Sequence, residues 1–211
     1  MMELTPDQAE ARSDLCRFLS ACYYEPAAEF EEERLFDSII AAADRLDPVL
    51  AAQARQLSEG FAAQDLQSLL VDYSRLFIGP AQALAAPYGS RWLGQPSAPE
   101  DDPMAALLQC YEEGGFEIDA GFSDLPDHVA VELEFLYLLC FTQNRAELRG
   151  DAVAAEAAEA MRVRFLAAHL GAWIGPFAAA VQSGAETPFY RELGRMTEAF
   201  VHQIGHAAAR H

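Results

Sequence analysis

Leu66-Gln67-Ser68-Leu69-Leu70-Val71-Asp72-Tyr73-Ser74-Arg75-Leu76-Phe77 places apolar side chains at Leu66, Leu69, Leu70, Tyr73, Leu76 and Phe77, each three or four residues from others of the set. Steps of that size return to one face of a helix, whereas a half-buried strand would need every second residue apolar. The same period recurs on both sides of this stretch, and no segment alternates as a strand would. Helix-start signals agree with it. In Thr5-Pro6-Asp7-Gln8 a threonine cap precedes a proline at the first helical position, and Gln8 closes a capping box. Asp47-Pro48, Asp102-Pro103 and Thr187-Pro188 repeat the logic, since a proline's missing N–H costs nothing in the first turn. The pattern predicts about nine helices, roughly 5–24, 29–45, 48–62, 64–77, 103–113, 125–144, 151–170, 171–183 and 187–207, in an all-α, single-domain helical bundle spanning 1–211.

One stretch breaks the period. Ile78 to Pro103 holds five prolines and three glycines, so it reads as a long loop, about 78–102. Loops of that length inside a compact domain usually carry function, and this one presents Tyr88 and Trp92. A second break, Gly114 to Asp124, leads into the most apolar helix of the chain, Val129 to Phe141.

Composition narrows the function. Thirty-three acidic residues against fourteen basic ones give a net charge of −19, a field that repels nucleic acid and anionic lipid and attracts cationic, arginine-bearing segments. All fourteen basic residues are arginine. Without lysine there is no Walker-type phosphate loop, no pyridoxal phosphate Schiff base and no kinase strand lysine. Cys16, Cys22, Cys110 and Cys140 show no metal-knuckle spacing and lie in apolar helical patterns, as buried reduced thiols would. The acidic, polar start from Met1 to Asp14 has no signal-peptide character, and Glu132 and Glu134 interrupt the longest apolar run. The expectation is a soluble protein of a reducing compartment, the cytoplasm, with no stable membrane insertion.

Candidate chemistry gathers at Ser123-Asp124-Leu125-Pro126-Asp127-His128, with Glu132 one turn beyond His128 on the same helix face. Two readings stand side by side. In one, Asp124 caps the helix, Pro126 lies in its first turn, Asp127 sits near the positive end of the dipole and His128 bonds locally. In the other, Asp127 and His128 present a polar spot where a helix start grips a peptide backbone or an arginine. A metal-dependent enzyme centred on Asp127, His128 and Glu132 is the alternative from another class, although only His128 and Glu132 share a face. Glu132 and Glu134, inside an apolar helix, call for arginine partners, with Arg75 and Arg164 as candidates. His202 and His206 are spaced for one metal but lack a third ligand. No G-x-S-x-G elbow, H-E-x-x-H pair or Rossmann fingerprint is present, so neither a catalytic residue nor a cofactor is expected.

Three stretches carry a resemblance. Tyr73-Ser74-Arg75-Leu76-Phe77-Ile78-Gly79-Pro80, continuing through Ala86-Pro87-Tyr88-Gly89-Ser90-Arg91-Trp92-Leu93, resembles the Y-x-x-L-F-x-G-P and A-P-x-G-S-x-Y-L signature of the TorD/DmsD/NarJ chaperones. Asp124-Leu125-Pro126-Asp127-His128 is similar to the family's acidic-Pro-Asp-His opening of a central helix. Trp173-Ile174-Gly175-Pro176-Phe177 and Thr187-Pro188-Phe189-Tyr190 resemble its C-terminal W-x-x-x-F and F-Y elements. Tyr88 and Trp92 stand where many members have tryptophan and tyrosine, so the aromatic character is kept.

The resemblance implies a TorD-like helical chaperone, not an enzyme. Its partner would be a molybdenum oxidoreductase catalytic subunit or that subunit's leader peptide, including leaders of the twin-arginine type. The chaperone would hold it, as monomer or homodimer, until the molybdopterin cofactor is inserted. The client-binding residues so implied are Tyr73, Phe77, Pro87, Tyr88, Gly89, Trp92, Asp124, Pro126, Asp127 and His128, with the aromatics walling a groove and the carboxylates facing arginines. A nucleotide-responsive adaptor is a further alternative that the resemblance raises, without a phosphate loop to support it.

Overall fold

In the computed structural model the described residues are 4–79, 82–94, 102–118 and 124–208, with side chains to residue 205. Ten α-helices lie among them: α1 (Pro6–Ala21), α2 (Glu29–Glu32), α3 (Leu35–Leu46), α4 (Pro48–Ala62), α5 (Leu66–Tyr73), α6 (Pro103–Gly114), α7 (Val129–Leu148), α8 (Ala152–Ala168), α9 (Leu170–Gly184) and α10 (Pro188–Ala208). No strand is formed among the described residues beyond one isolated bridge, Tyr88 to His128. The all-α expectation holds.

Local chemistry sets most of the boundaries. Thr5 and Gln8 form the capping box on α1, and the Asp47 carboxylate accepts from the N–H groups of Val49 and Leu50 at the start of α4. Asp102 does the same for α6 through Met104 N–H, at 3.0 Å. The α10 start borrows its cap from elsewhere: Asp72 of α5 accepts from the N–H groups of Glu186 and Thr187 and from the Thr187 hydroxyl.

Three predicted helices differ. The helix expected over 29–45 is cut into α2 and α3 because Arg34 takes the left-handed conformation, φ 54°, which no helix interior accommodates. The helix expected over 64–77 widens after Tyr73 into a π turn, Ser74–Ile78. Gly79 at φ 65° ends it, turning the chain so that Ala85 N–H reaches the Leu76 carbonyl at 2.8 Å. The helix expected from 125 begins four residues later, at Val129, and His128 caps it.

Packing centres on α7, which lies against α1 on one side and α8 on another, while α10 packs on α9 and α4. Val129, Ala130, Leu133, Phe135, Leu136 and Cys140 of α7 are fully buried. Burial of a side chain the size of Leu or Phe contributes about 1.5–3 kcal/mol, so this helix holds the core together. α4 and α10 touch through Gly60, where an added Cβ would come within 2.9 Å of the Phe189 backbone nitrogen. All but a few alanines of the buried apolar residues form one contiguous cluster. Among the described residues no single helix is long and apolar enough to cross a membrane; α8 and α9 pass that test only as a pair bent by 45°.

Candidate functional site

The second half of the proline-rich segment is strapped across the start of α7. Gly89 N–H donates to the Asp127 carbonyl at 2.9 Å and Val129 N–H donates to the Pro87 carbonyl at 2.8 Å, the two bonds of an antiparallel bridge between Tyr88 and His128. Side chains reinforce the strap. The Asp127 carboxylate accepts from Ser90 N–H at 2.7 Å, which caps the short 3₁₀ turn Gly89–Arg91. Asp124 accepts from the Tyr88 hydroxyl at 2.7 Å and from Leu125 N–H at 2.9 Å. Trp92 donates its indole N–H to the Ala86 carbonyl at 2.8 Å and packs edge-on against Phe177 of α9.

His128 has a structural task of its own. Its Nδ1 accepts from Ala130 N–H at 3.1 Å, its ring stacks on Tyr24 and meets the edge of Tyr88. Burial keeps its basicity below the ordinary histidine value, against the pull of Asp124 and Asp127, so the ring is neutral, as an acceptor requires. Tyr111 supports the same corner by donating to the Pro126 carbonyl at 2.9 Å.

Beneath the strap lies a small cavity bounded by Gly89, Ser90, Leu107, Asp127, Glu132 and His169 among others. Glu132 is 1% exposed. The Trp173 indole N–H lies 3.2 Å from both of its oxygens. Burial nevertheless holds its carboxyl well above the usual carboxylate range, and the Asp127 charge adds to that. His169 is buried and kept neutral by that burial. Asp127 is 3% exposed, and its Oδ1 is buried with no hydrogen-bond partner.

The predicted residues therefore divide. Tyr73, Tyr88, Trp92 and Pro126 are partly exposed and Asp124 is exposed, and the strap brings Tyr88, Asp124 and Pro126 to one corner. Phe77, Pro87, Gly89, Asp127 and His128 are buried. Phe77 packs on Tyr23, Tyr73, Phe177 and Tyr190 in the core and walls no open groove. Asp127 and His128, expected as a presented polar spot, face inward because the bridge turns their backbone toward Pro87 and Gly89. Asp124 does not cap α7, and Pro126 precedes that helix. Ser123 lies outside the described residues, as do residues 80–81 and 95–101 of the predicted loop.

Neither the buried Glu132 nor the half-buried Glu134 is paired with arginine. Glu132 meets Trp173, while Glu134 accepts from the hydroxyls of Ser20 at 3.1 Å and Tyr24 at 2.9 Å. Arg75 pairs instead with Asp72 and Glu186, and Arg164 with Glu113. Among the described residues no three histidine, cysteine or carboxylate side chains converge as metal ligands; the His206 side chain is outside them. Sequence reasoning did not place Ser20, Tyr24, Tyr111, His169 or Trp173 at this corner. Only Trp173 carried a signal, as part of the W-x-x-x-F stretch that resembles the family's C-terminal element.

Comparison with known proteins fits the strap's two segments. The sequence profile of the nitrate reductase delta subunit family matches residues 43–179, a span that contains both. The chain belongs to this family. Curated relatives carry the name chaperone protein TorD: one from Shewanella pealeana is 28% identical over 72% of this chain and 65% of its own length. One from Vibrio parahaemolyticus is 24% identical over 90% of this chain and 91% of its own. The chain spans a little under two thirds of the first of these and nearly all of the second. The crystal structure of a protein assigned to redox enzyme maturation, from Archaeoglobus fulgidus, superposes with a TM-score of 0.54 at 22% identity, covering 90% of this chain and 93% of that one. The TorD-like helical fold is thereby shown.

Proposed function

We propose that this member of the family is a cytoplasmic, system-specific maturation chaperone that binds the leader peptide or N-terminal segment of a molybdopterin-containing oxidoreductase subunit and holds it until the cofactor is inserted. The observation that carries the reading is the strap. It fixes a corner where Tyr24, Tyr73 and Tyr88 lie within electrostatic reach of Asp124, with Glu25 beside Tyr73. Aromatic faces suit the apolar part of a leader, and carboxylates at the rim suit its arginines. Burial raises all three phenols above the ordinary tyrosine range, and the neighbouring carboxylates add to it, so each remains a hydrogen-bond donor at neutral pH. In this proposal Asp127, His128, Pro87 and Gly89 position the corner, and Tyr73, Tyr88, Trp92, Asp124 and Pro126 meet the client.

The net charge of −19 adds a long-range attraction for a basic leader that salt weakens. Ordering a flexible peptide offsets much of the contact energy, which keeps binding reversible as a chaperone needs. The test is co-purification of tagged protein from its native cells with mass spectrometry, beside a Tyr88→Ala/Asp124→Ala variant. Recovery of a molybdenum enzyme subunit with the parent, and its loss with the still-folded variant, is expected. Equal recovery with both would move the client site elsewhere; no such subunit with either would overturn the reading.

A further inference from the structure

The cavity beneath the strap has two unlike sides. Asp127, Glu132 and His169 border it from buried positions, while Leu93, Pro103 and Met104 border it from partly exposed positions on the strap and α6. Its free space suits one group the size of a water molecule. The buried side is short of donors. Asp127 Oδ2 accepts from Ser90 N–H at 2.7 Å, and Oδ1 is buried without a partner. The two oxygens of Glu132 share the Trp173 indole N–H, each at 3.2 Å. The arginines expected beside Glu132 pair elsewhere, Arg75 with Asp72 and Glu186 and Arg164 with Glu113, and the chain has no lysine.

Size and charge together set what the cavity can take. Besides Asp127, the titratable neighbours of Glu132 are His169 at the start of α9 and Cys110 and Tyr111 of α6, and burial keeps each of these three uncharged at neutral pH. None of them supplies a cation. A buried carboxylate oxygen is costly without a donor, and a compact donor that also carries positive charge answers both needs. An ammonium group is close to a water molecule in size and offers three donors, whereas a guanidinium is a wider planar fork of five. A hydroxyl fits the space but brings no charge.

We propose that this cavity is a binding site for one primary ammonium group on a short apolar stem, the head set between Asp127 and Glu132 and the stem along Leu93, Pro103 and Met104. Before the ligand arrives, burial favours the protonated Glu132 carboxyl. A cation beside that carboxyl favours its charged form, so the incoming ammonium displaces the Glu132 proton to solvent and the charge under the strap stays balanced. Gly89 makes room for this arrangement, because a Cβ there would stand 3.1 Å from Glu132 Oε1. On the chaperone reading, on which this sentence alone rests, the ammonium belongs to the N-terminal segment of the client.

The experiment titrates the folded full chain with n-butylammonium at constant ionic strength and follows the Trp173 indole N–H by NMR, with n-butanol and n-butylguanidinium as comparison ligands. Calorimetry in two mildly acidic buffers of different ionisation heat counts the protons released. Expected is a saturable shift of the Trp173 signal with butylammonium, at least about tenfold weaker binding of the other two, and release of about one proton per ligand bound. Asp127→Asn keeps an acceptor for Ser90 N–H and should weaken binding about tenfold or more. Glu132→Gln keeps an acceptor for Trp173 and should abolish the proton release. The three ligands are compared on the parent alone, so the test stands if a variant does not fold. A Trp173 signal that stays still, or that moves equally with butanol, overturns the proposal and leaves the cavity to water. Butylammonium binding without any client in co-purification would keep this site and sink the chaperone reading, and client recovery without butylammonium binding would do the reverse.

Discussion

Asp72 and Asp127 are both buried carboxylates with an adjacent helix start to hold, yet they are furnished differently. Asp72 accepts from Arg75 at 2.9 Å, from the N–H groups of Glu186 and Thr187, and from the Thr187 hydroxyl at 2.8 Å. Both of its oxygens are occupied by the frame. Asp127 spends Oδ2 on Ser90 N–H and leaves Oδ1 buried without a partner, in a residue that borders a cavity also lined by Glu132 and His169. Because buried polar atoms in folded proteins are nearly always satisfied, the open oxygen separates a fully satisfied carboxylate from one that keeps spare acceptor capacity at the proposed client corner.

Removing each carboxylate tests that contrast. Asp72→Ala strands the two buried donors of Thr187 and the part-buried Glu186 N–H and takes one partner from Arg75, and should cost about 3–5 kcal/mol of folding stability. Asp127→Ala strands one backbone donor and should cost about 1–2 kcal/mol. Urea denaturation of the two variants measures the gap, and equal losses would make Asp127 as much a scaffold as Asp72. Gly89→Ala falls between the two in size. Its Cβ would lie 2.9 Å from Trp173 Nε1 and 3.1 Å from Glu132 Oε1, so overpacking should cost about 1–3 kcal/mol and lift the strap; unchanged stability and client recovery would show that the close approach is dispensable.

Glu132 sharpens the contrast through pH. Its carboxyl is raised in the folded state, by burial first, so above the unfolded carboxyl's pKa the unfolded chain gives up a proton that the folded chain keeps. Stability is then lost as pH rises from that value toward the folded pKa, with a slope of at most about 1.4 kcal/mol per pH unit. Glu132→Gln keeps an acceptor for Trp173 and removes the titration. The parent should lose stability relative to the variant as pH rises above the unfolded carboxyl's pKa, and parallel stability curves would refute the raised carboxyl.

Much of the fold was legible because helix signals are local. Thr5 with Gln8, Asp47 and Asp102 cap their own helices within three residues. The start of α7 was misplaced because its boundary is decided at a distance: Tyr111 takes the Pro126 carbonyl, and Ser90 and Gly89 take Asp127. For the same reason the sequence named the corner's residues without showing which face out. Periodicity cannot tell that a bridge between 88 and 128 turns Asp127 and His128 inward while leaving Tyr88 and Asp124 at the rim. Arginine partners for Glu132 and Glu134 were expected from charge alone, but hydroxyl and indole donors met the need without burying further cations.

The smallest effect on stability is expected at that rim, where it discriminates best between holding the corner and using it. Tyr88→Phe keeps the ring that meets His128 edge-on and deletes only the hydroxyl bonded to Asp124. Water can take that hydroxyl's place because Asp124 is exposed, so the cost should stay within about 0.5–1 kcal/mol. Freed from Tyr88, the Asp124 carboxylate loses the bond that fixes its orientation. If the tyrosine serves mainly to orient Asp124 toward the client, recovery of the client in co-purification falls although thermal stability is nearly unchanged. If the hydroxyl merely braces the strap, recovery follows stability and barely moves. A large loss of stability would contradict both, and would place Tyr88 with Asp72 among the residues that hold the frame.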